Sequence, residues 1–321
     1  MFKKLIIQIP CYNEEKTLPI ALAELPRQLP GVLKVEWLVI DDGSSDRTAQ
    51  VAKEHGVDHI VRHLRNLGLA RAFMTGLEAS ISLGADIIVN TDADNQYVAA
   101  DIPKLIAPIL AGEADIVIGS RPIEAIPEFS PLKKSLQKLG SWMVRRASRT
   151  GIQDTTSGFR ALSRDAAMQM HVFNDYTYTL ETIIQAGQKG IAIIDVPIRT
   201  NHPLRPSRLI KSIPAYIRKS TFTTVLIFMT YQSFTFFVIP GLVSFAAGIL
   251  LGARFLYFYF TVGGNGHVQS LVFAAILLSL GAFLVITGLL AELISVNRKL
   301  LERIDWQIQK IQVNNKVHNN E

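Results

Sequence analysis

Two stretches late in the chain, Ser233 to Ala253 and Leu271 to Ala291, each run for roughly twenty residues without a charged side chain, enough to cross ~30 Å of hydrocarbon as helices. A helix that is apolar on every side needs apolar surroundings, so the pair predicts a two-helix transmembrane hairpin, with spans of about 233–257 and 270–293 within a segment 233–294. The connecting loop, Thr261 to Gln269, has no Lys or Arg, whereas both outer flanks are basic, the second through Arg298, Lys299 and Arg303. Positive-inside bias then predicts a multi-pass protein of the cell (inner) membrane, with the rest of the chain in the cytoplasm. Arg254, late in the first span, is positioned to snorkel to the far interface.

The remainder is large enough for a full α/β core: the chain has 321 residues, 49% hydrophobic and 19% charged. Its formal charge of +6 is compatible with nucleic acid, an anionic membrane or a polyanionic substrate. Much of the positive charge flanks the apolar spans and no nucleic-acid motif is present, so membrane lipids are the expected partner and nucleic acid is not. In residues 205–232, Arg205, Arg208, Lys211, Arg218 and Lys219 punctuate an apolar pattern suited to amphipathic juxtamembrane helices. The basic tail, 295–321, has helical spacing at Leu300, Ile304, Ile308 and Ile311, fit for a membrane surface or an oligomer. The single cysteine, Cys11, excludes an intramolecular disulfide and reads as a packed strand-end residue. The opening, Met1 to Pro10, is too short and too interrupted for a signal peptide and reads as a first strand.

Up to about residue 204, β-rich apolar runs alternate with helical periodicity, which predicts a mostly parallel sheet flanked by helices. Strands are expected at Leu5–Ile9, Glu36–Ile40, His59–Arg62, Asp86–Thr91, Ile116–Gly119 and Ile191–Ile198. Helices are expected at Lys16–Leu29, Asp46–Glu54 (with Asp46 as N-cap) and Ala70–Leu83. In such sheets ligands bind beyond the carboxyl ends of the strands, which is where the polar clusters Cys11–Glu15, Asp41–Asp46 and Asp92–Gln96 fall.

These clusters suit a nucleotide carrying a metal-bound diphosphate. In Asp92-Ala93-Asp94-Asn95-Gln96, alternation places Asp92 and Asp94 on one face, and hard oxygens at that spacing suit Mg²⁺ or Mn²⁺ together with substrate phosphates. Asp41 and Asp42 can accept hydrogen bonds from a base or ribose, with Gly43 permitting a tight turn. Tyr12 offers a stacking face and Glu14 an acceptor. Each cluster taken singly is equally compatible with a turn or a helix cap.

Taken in order, the segments Ile9–Glu15, Val39–Ser44, Arg65–Gly76, Asp92–Gln96, Gly119-Ser120-Arg121, Asp154–Arg160 (D-T-T-S-G-F-R), Tyr178–Glu181 and Val196-Pro197-Ile198 resemble the inverting family 2 glycosyltransferases of GT-A fold. The D-T-T-S-G-F-R segment resembles the branch holding dolichyl-phosphate mannose synthases and bacterial undecaprenyl-phosphate sugar transferases. The resemblance implies a GT-A, Rossmann-like catalytic domain over 1–204 that uses Mg²⁺ or Mn²⁺. It implies transfer of one sugar from a UDP- or GDP-linked donor to a polyisoprenyl phosphate at the cytoplasmic membrane face, with inversion. It further implies that Pro10, Tyr12, Asn13, Glu14, Asp41 and Asp42 cradle the nucleoside, with Asp92 and Ala93 at ribose or sugar. Asp94 and Gln96, beside Asp92, would hold the metal. Arg121 would sit at the leaving diphosphate, and Glu181 would orient the acceptor or cap the site. A homo-oligomer is expected by analogy with relatives.

For the acceptor phosphate, Lys133, Lys134, Arg205, Ser207 and Arg208 stand nearest the family's positions. The resemblance departs at His202, where the pattern has an arginine, and Arg199 or Arg205 is the expected substitute. Two other readings stand beside this one: transfer to a different lipid or to a polysaccharide, and a non-catalytic scaffold binding nucleotide sugars. The Q-x-x-R-W motif of processive synthases is absent before the spans, and Asp94 and Arg121, whose loss would favour a scaffold, are both present.

Overall fold

The computed structural model describes residues 2–122, 144–145, 148, 150–172, 178–202, 225–226, 229–263 and 268–318. Lys133, Lys134, Arg205, Ser207 and Arg208 lie outside the described residues, as does most of the juxtamembrane segment. The chain divides into two compact units, Met1–Arg218 with Ile304–Glu321, and Lys219–Arg303.

In the first unit the elements follow as β1 (Phe2–Cys11), α1 (Leu18–Glu24), β2 (Val32–Asp41), α2 (Thr48–Glu54), β3 (His59–Arg62), α3 (Leu69–Ser82) and β4 (Ile87–Asn90). Next come a 3₁₀ turn (Ala99–Asp101), α4 (Ile102–Leu110), β5 (Ile116–Ser120), β6 (Arg160–Ser163), α5 (Arg164–Met168), α6 (Thr179–Lys189) and β7 (Ile193–Pro197). The seven strands form one sheet in the order β3-β2-β1-β4-β6-β5-β7. All pairings are parallel except those of β6, which runs antiparallel to β4 and β5. The expected mostly parallel sheet flanked by helices is therefore present. Its central strands are buried on both faces because helices cover both: Leu5, Ile7 and Ile9 on one face of β1 and Ile6 on the other, with Ile87 and Val89 on one face of β4 and Ile88 on the other, are fully buried.

Three sequence expectations are corrected. The first helix ends at Glu24 instead of Leu29, because Leu25 precedes Pro26 and adopts an extended ψ of 134°, as a residue before proline is driven to do. The second helix begins at Thr48, not Asp46. Asp46 nevertheless serves the helix end, its Oδ1 accepting from the Thr48 amide at 3.0 Å. Strand β6, inside the D-T-T-S-G-F-R run, was not among the expected strands: it is four residues long and takes its register from β4, seventy residues upstream.

Cys11 closes β1, buried, its thiol pushed well above its usual value by burial and then by Glu14 and Asp41. It is the packed, unreactive strand-end residue its position implies.

The second unit is built on α7 (Ser233–Val262) and most of α8 (Val268–His318), both long and apolar enough to cross a membrane. Only 17% of the residues in the most apolar window of each are buried. The helices approach through glycine, since a side chain at Gly281 would lie 2.8 Å from the Gly241 carbonyl. Ser244 adds a hydrogen bond to the Leu277 carbonyl at 2.9 Å.

In the first unit, buried Glu36 on β2, the strand next to the edge strand β3, meets Lys34 at 2.5 Å, Lys4 at 2.6 Å and His59 at 2.7 Å. Burial opposes its ionisation, but these three partners outweigh burial and hold the carboxyl at about 2. The folded value lies below the unfolded one, so the stabilisation is complete above about pH 4.5 and is lost as the pH falls through about 2. Glu36→Gln is expected to cost on the order of 1–2 kcal/mol at pH 7. The difference should close between pH 4.5 and 2, as read from thermal midpoints of the full chain in detergent.

Candidate active site

Strands β2, β1 and β4 lie side by side and parallel, so the turns that follow them emerge on one edge. The first two turns are sewn together by backbone amides and short polar side chains. The Asn13 amide donates to Ser44 Oγ (2.9 Å), the Ser45 amide to Asn13 Oδ1 (2.9 Å), the Glu14 amide to Thr48 Oγ1 (2.8 Å) and the Asp42 amide to the Cys11 carbonyl (2.8 Å). Among the described residues only Asn13 and Asn95 combine a side chain with positive φ, at 55° and 56°. One lies in the first turn and the other in the third, so the sparsely populated backbone of this protein is concentrated at the candidate site.

The expected nucleoside residues divide by what their atoms already touch. Tyr12 stands 43% exposed at the end of β1, with its ring accessible, while Pro10 beside it is buried. Asn13 is committed to the Ser45 turn, and buried Glu14 accepts from Thr17 Oγ1 at 2.5 Å. Asp41 is fully buried: its Oδ1 accepts from the Ser44 amide, whereas its Oδ2 has no hydrogen bond, although Arg62 Nε lies 3.1 Å away. Asp42 is spent on the protein itself, accepting from His63 Nδ1 (2.7 Å) and the Leu67 and Gly68 amides (both 2.9 Å). It thereby fixes the Arg65–Gly68 loop over Gly43, where a side chain would strike the Arg65 backbone at 2.4 Å. His63 completes the arrangement through Thr75 Oγ1 at 3.0 Å.

In the third turn Asp92, Asp94 and Gln96 are half-buried while Ala93 and Asn95 are buried; the segment is a turn, with Asn95 left-handed, and not the extended strand end on which the expected alternation rests. Burial and then the charge of Asp94 push Asp92 up to about 7, with Arg121 and Arg160 pulling it back. Two carboxylates that repel one another, with an amide alongside, are a donor set that a hard dication relieves. Among the described residues no group of three or more His, Cys, Asp or Glu could form a protein cage. Mg²⁺ and Mn²⁺ bound mainly through substrate phosphates need none, so the residues fit such an ion.

Arg121, just past β5, is held by Asp154: Nε and Nη2 donate to its two oxygens at 2.6 and 3.1 Å, and Nη2 also to Thr156 Oγ1 at 2.8 Å. Burial opposes ionisation of Asp154, but Arg121 outweighs it and keeps the carboxyl below its usual range. The arginine is thus a fixed cation whose field reaches Asp92. Glu181 is buried in the first turn of α6. Arg199, a possible substitute at the acceptor position, is instead engaged by Asp101 through Nε and Nη2, the latter at 2.8 Å.

The structure adds Gln8 and Asn90, which motif reading did not single out, and ties them to the D-T-T-S-G-F-R and Tyr178 segments that it did. Gln8 of β1 donates to Asn90 Oδ1 (2.9 Å), and Asn90 Nδ2 donates to the Gly158 carbonyl (2.8 Å) and to Tyr178 Oη (3.0 Å). Gly158 has no room for a side chain, which would lie 2.8 Å from Tyr178 Oη and 3.2 Å from both Asp92 oxygens. Fully buried Arg160 donates to Ser157 O and to Thr182 Oγ1 (2.5 Å), binding the D-T-T-S-G-F-R loop to α6. The signal for the first pair is a polar residue inside each of two otherwise apolar strands, which is tolerated only when satisfied.

With this geometry in view, the comparisons are specific. The family model described as "Glycosyl transferase family 2" matches residues 6–170, just over half of the 321. The UDP-N-acetylglucosamine–dolichyl-phosphate N-acetylglucosaminyltransferase of Methanococcus voltae is 31% identical over 62% of this chain and 86% of its own. The polyprenol monophosphomannose synthase of Mycolicibacterium smegmatis is 27% identical over 61% of this chain and 77% of its own. Glucosyl-3-phosphoglycerate synthase from Mycobacterium tuberculosis, solved with Mn²⁺, uridine diphosphate and phosphoglyceric acid, aligns at a TM-score of 0.55. It is 20% identical, covering 71% of this chain and 78% of that one, which is a likeness of fold.

The Arg121–Asp154 pair carries a stability prediction. Asp154→Ala would leave a largely buried guanidinium without its carboxylate, at an expected cost of about 3 kcal/mol. That should appear as a fall of roughly 6–12 °C in the thermal midpoint. Asp154→Asn, which keeps the shape, should fall less.

Proposed function

Since this chain belongs to glycosyl transferase family 2, whose members take a sugar from a nucleotide-sugar donor, we propose that its acceptor is a polyisoprenyl phosphate and that the reaction occurs at the cytoplasmic membrane face. The observation that carries this reading is the convergence of the three polar turns after β1, β2 and β4, with Arg121 fixed nearby, in a chain that also carries two membrane-length apolar helices. The names of the M. voltae and M. smegmatis relatives, dolichyl-phosphate and polyprenol enzymes, support the acceptor class.

In this proposal the nucleoside stacks on Tyr12, and Asp41 Oδ2, buried without a hydrogen bond, accepts from the base or ribose. Glu14 lies behind them, and Asp42 holds the loop over Gly43. Asp92 receives a ribose or sugar hydroxyl. Asp94 and Gln96, with Asp92, would hold Mg²⁺ or Mn²⁺, which when bound neutralises charge on the donor diphosphate. Arg121, anchored by Asp154, adds a positive charge beside the departing nucleoside diphosphate.

An oxygen of the acceptor phosphate attacks the anomeric carbon, and the bond from that carbon to the diphosphate oxygen breaks, the pair of electrons leaving with the diphosphate. The attacking oxygen is already anionic at neutral pH, so no strong general base is required and positioning dominates. One displacement inverts the anomeric centre. Glu181 orients the acceptor side of the site. Lys133, Lys134, Arg205, Ser207 and Arg208 supply the cations and hydroxyl for the lipid phosphate, and the hairpin holds the protein to the membrane.

The test is product formation from UDP- and GDP-sugars with undecaprenyl or dolichyl phosphate in detergent, with Mg²⁺ or Mn²⁺. A chelator-sensitive glycolipid is expected, reduced about a hundredfold or more by Asp94→Ala. Donor cleavage without glycolipid would move the acceptor to another lipid or to a polysaccharide. Binding without turnover would leave a nucleotide-sugar scaffold.

A further inference from the structure

The third turn holds its shape through contacts from two distant segments, and neither belongs to the residues placed at donor or metal above. Asn95 sits at φ 56°, a left-handed conformation that costs a residue with a Cβ unless its surroundings hold it there. Its side-chain Nδ2 donates to Glu24 Oε1, at the end of α1, at 3.0 Å. Its carbonyl accepts from Asn201 Nδ2 at 3.0 Å, and that same amide lies 3.5 Å from Glu24 Oε2. The Asn201 backbone N–H donates to the Gln96 carbonyl at 2.9 Å, and Tyr97 and Thr200 form an antiparallel bridge. One residue earlier, the Arg199 amide donates to Asp101 Oδ2 at 2.7 Å. The segment 199–201 thus lies along 96–98 and grips the turn at the Asn95 and Gln96 carbonyls. Asn95 itself is buried, whereas Asn201 is half-buried and Glu24 exposed, so the bonds are sheltered from water at the Asn95 end only.

We propose that Asn201, together with Glu24, is a positioning residue for the metal-holding turn: it keeps Asn95 left-handed and so aims Asp94 and Gln96 to the same side. This rests on the glycosyltransferase reading above.

The experiment compares the full-length protein in detergent with Asn201→Ala, Glu24→Gln, Asn95→Ala and Asn95→Gly. Binding of Mn²⁺ in the presence of uridine or guanosine diphosphate is followed by the loss of the free-ion paramagnetic resonance signal, beside steady-state kinetics and thermal midpoints. Asn201→Ala and Asn95→Ala are expected to weaken Mn²⁺ binding by about tenfold or more and to raise the Mn²⁺ needed for half-maximal rate by a similar factor. Midpoints should shift by only a few degrees. Glu24→Gln, on an exposed side chain, should fall between these variants and the wild type. Asn95→Gly, which takes a left-handed φ without strain, should stay within about threefold of wild type. Wild-type Mn²⁺ affinity in both Asn201→Ala and Asn95→Ala would overturn the proposal, as would equal losses in Asn95→Gly and Asn95→Ala. Failure of the wild-type protein itself to bind Mn²⁺ with either diphosphate would instead refute the reading of the turn as a metal site.

Discussion

Parallel pairing of β1 with both β2 and β4 is the constraint on which the rest of the first unit depends. Its register sets Cys11 opposite Asp41 and Gln8 opposite Asn90. Because all three strands point the same way, every polar residue that follows one of them is delivered to the same edge, while the apolar runs preceding them supply the core. A slip of one residue in either pairing would exchange the two faces' side chains, take Gln8 out of register with Asn90 and displace the three turns from one another. The chemistry is therefore positioned by hydrogen-bond ladders far more rigid than the turns they carry.

Around that frame the protein buries polar groups only where they are held. Gln8 and Asn90 occupy the interior of central strands, a costly location, and are satisfied by each other, by the Gly158 carbonyl and by Tyr178. Tyr178 in turn stacks on Phe73 of α3 with ring centroids 3.9 Å apart. The effect is to tie β1, β4, α3, the D-T-T-S-G-F-R loop and α6 into one body. Asp92 lies against this body at Gly158, and Glu181 rides on α6, so the donor and acceptor halves of the proposed site share one rigid support.

Local features were legible in the sequence where they depend on neighbours in the chain. The strand His59–Arg62 follows from period-two patterning, and the polar clusters announced the strand ends. The early end of α1 was also open to local reasoning, since Pro26 forbids a helical Leu25, but the apolar periodicity continuing to Leu29 masked it. Features set by distant partners were not legible. β6 exists because β4 and β5 offer edges to it, and Arg199 faces Asp101 across 98 positions. Nor was it legible that Asp42, read as a ligand-facing acid, also accepts from the Leu67 and Gly68 amides.

The insertion of β6 between β4 and β5 has a consequence for how the protein is made. β4, all four residues buried, pairs with β1 on one side and on the other waits for Arg160–Ser163, about seventy residues further along the chain. At roughly 5–20 residues per second on the ribosome, that is an interval of several seconds. Until it ends, the growing chain presents an unpaired, mostly apolar strand edge, the kind of surface that recruits foreign strands. The strand that leads into Asp92 and Asp94 thus stays open on one side until β6 is made, and a chain interrupted before Arg160 would be left open to aggregation at the threshold of its own candidate active site.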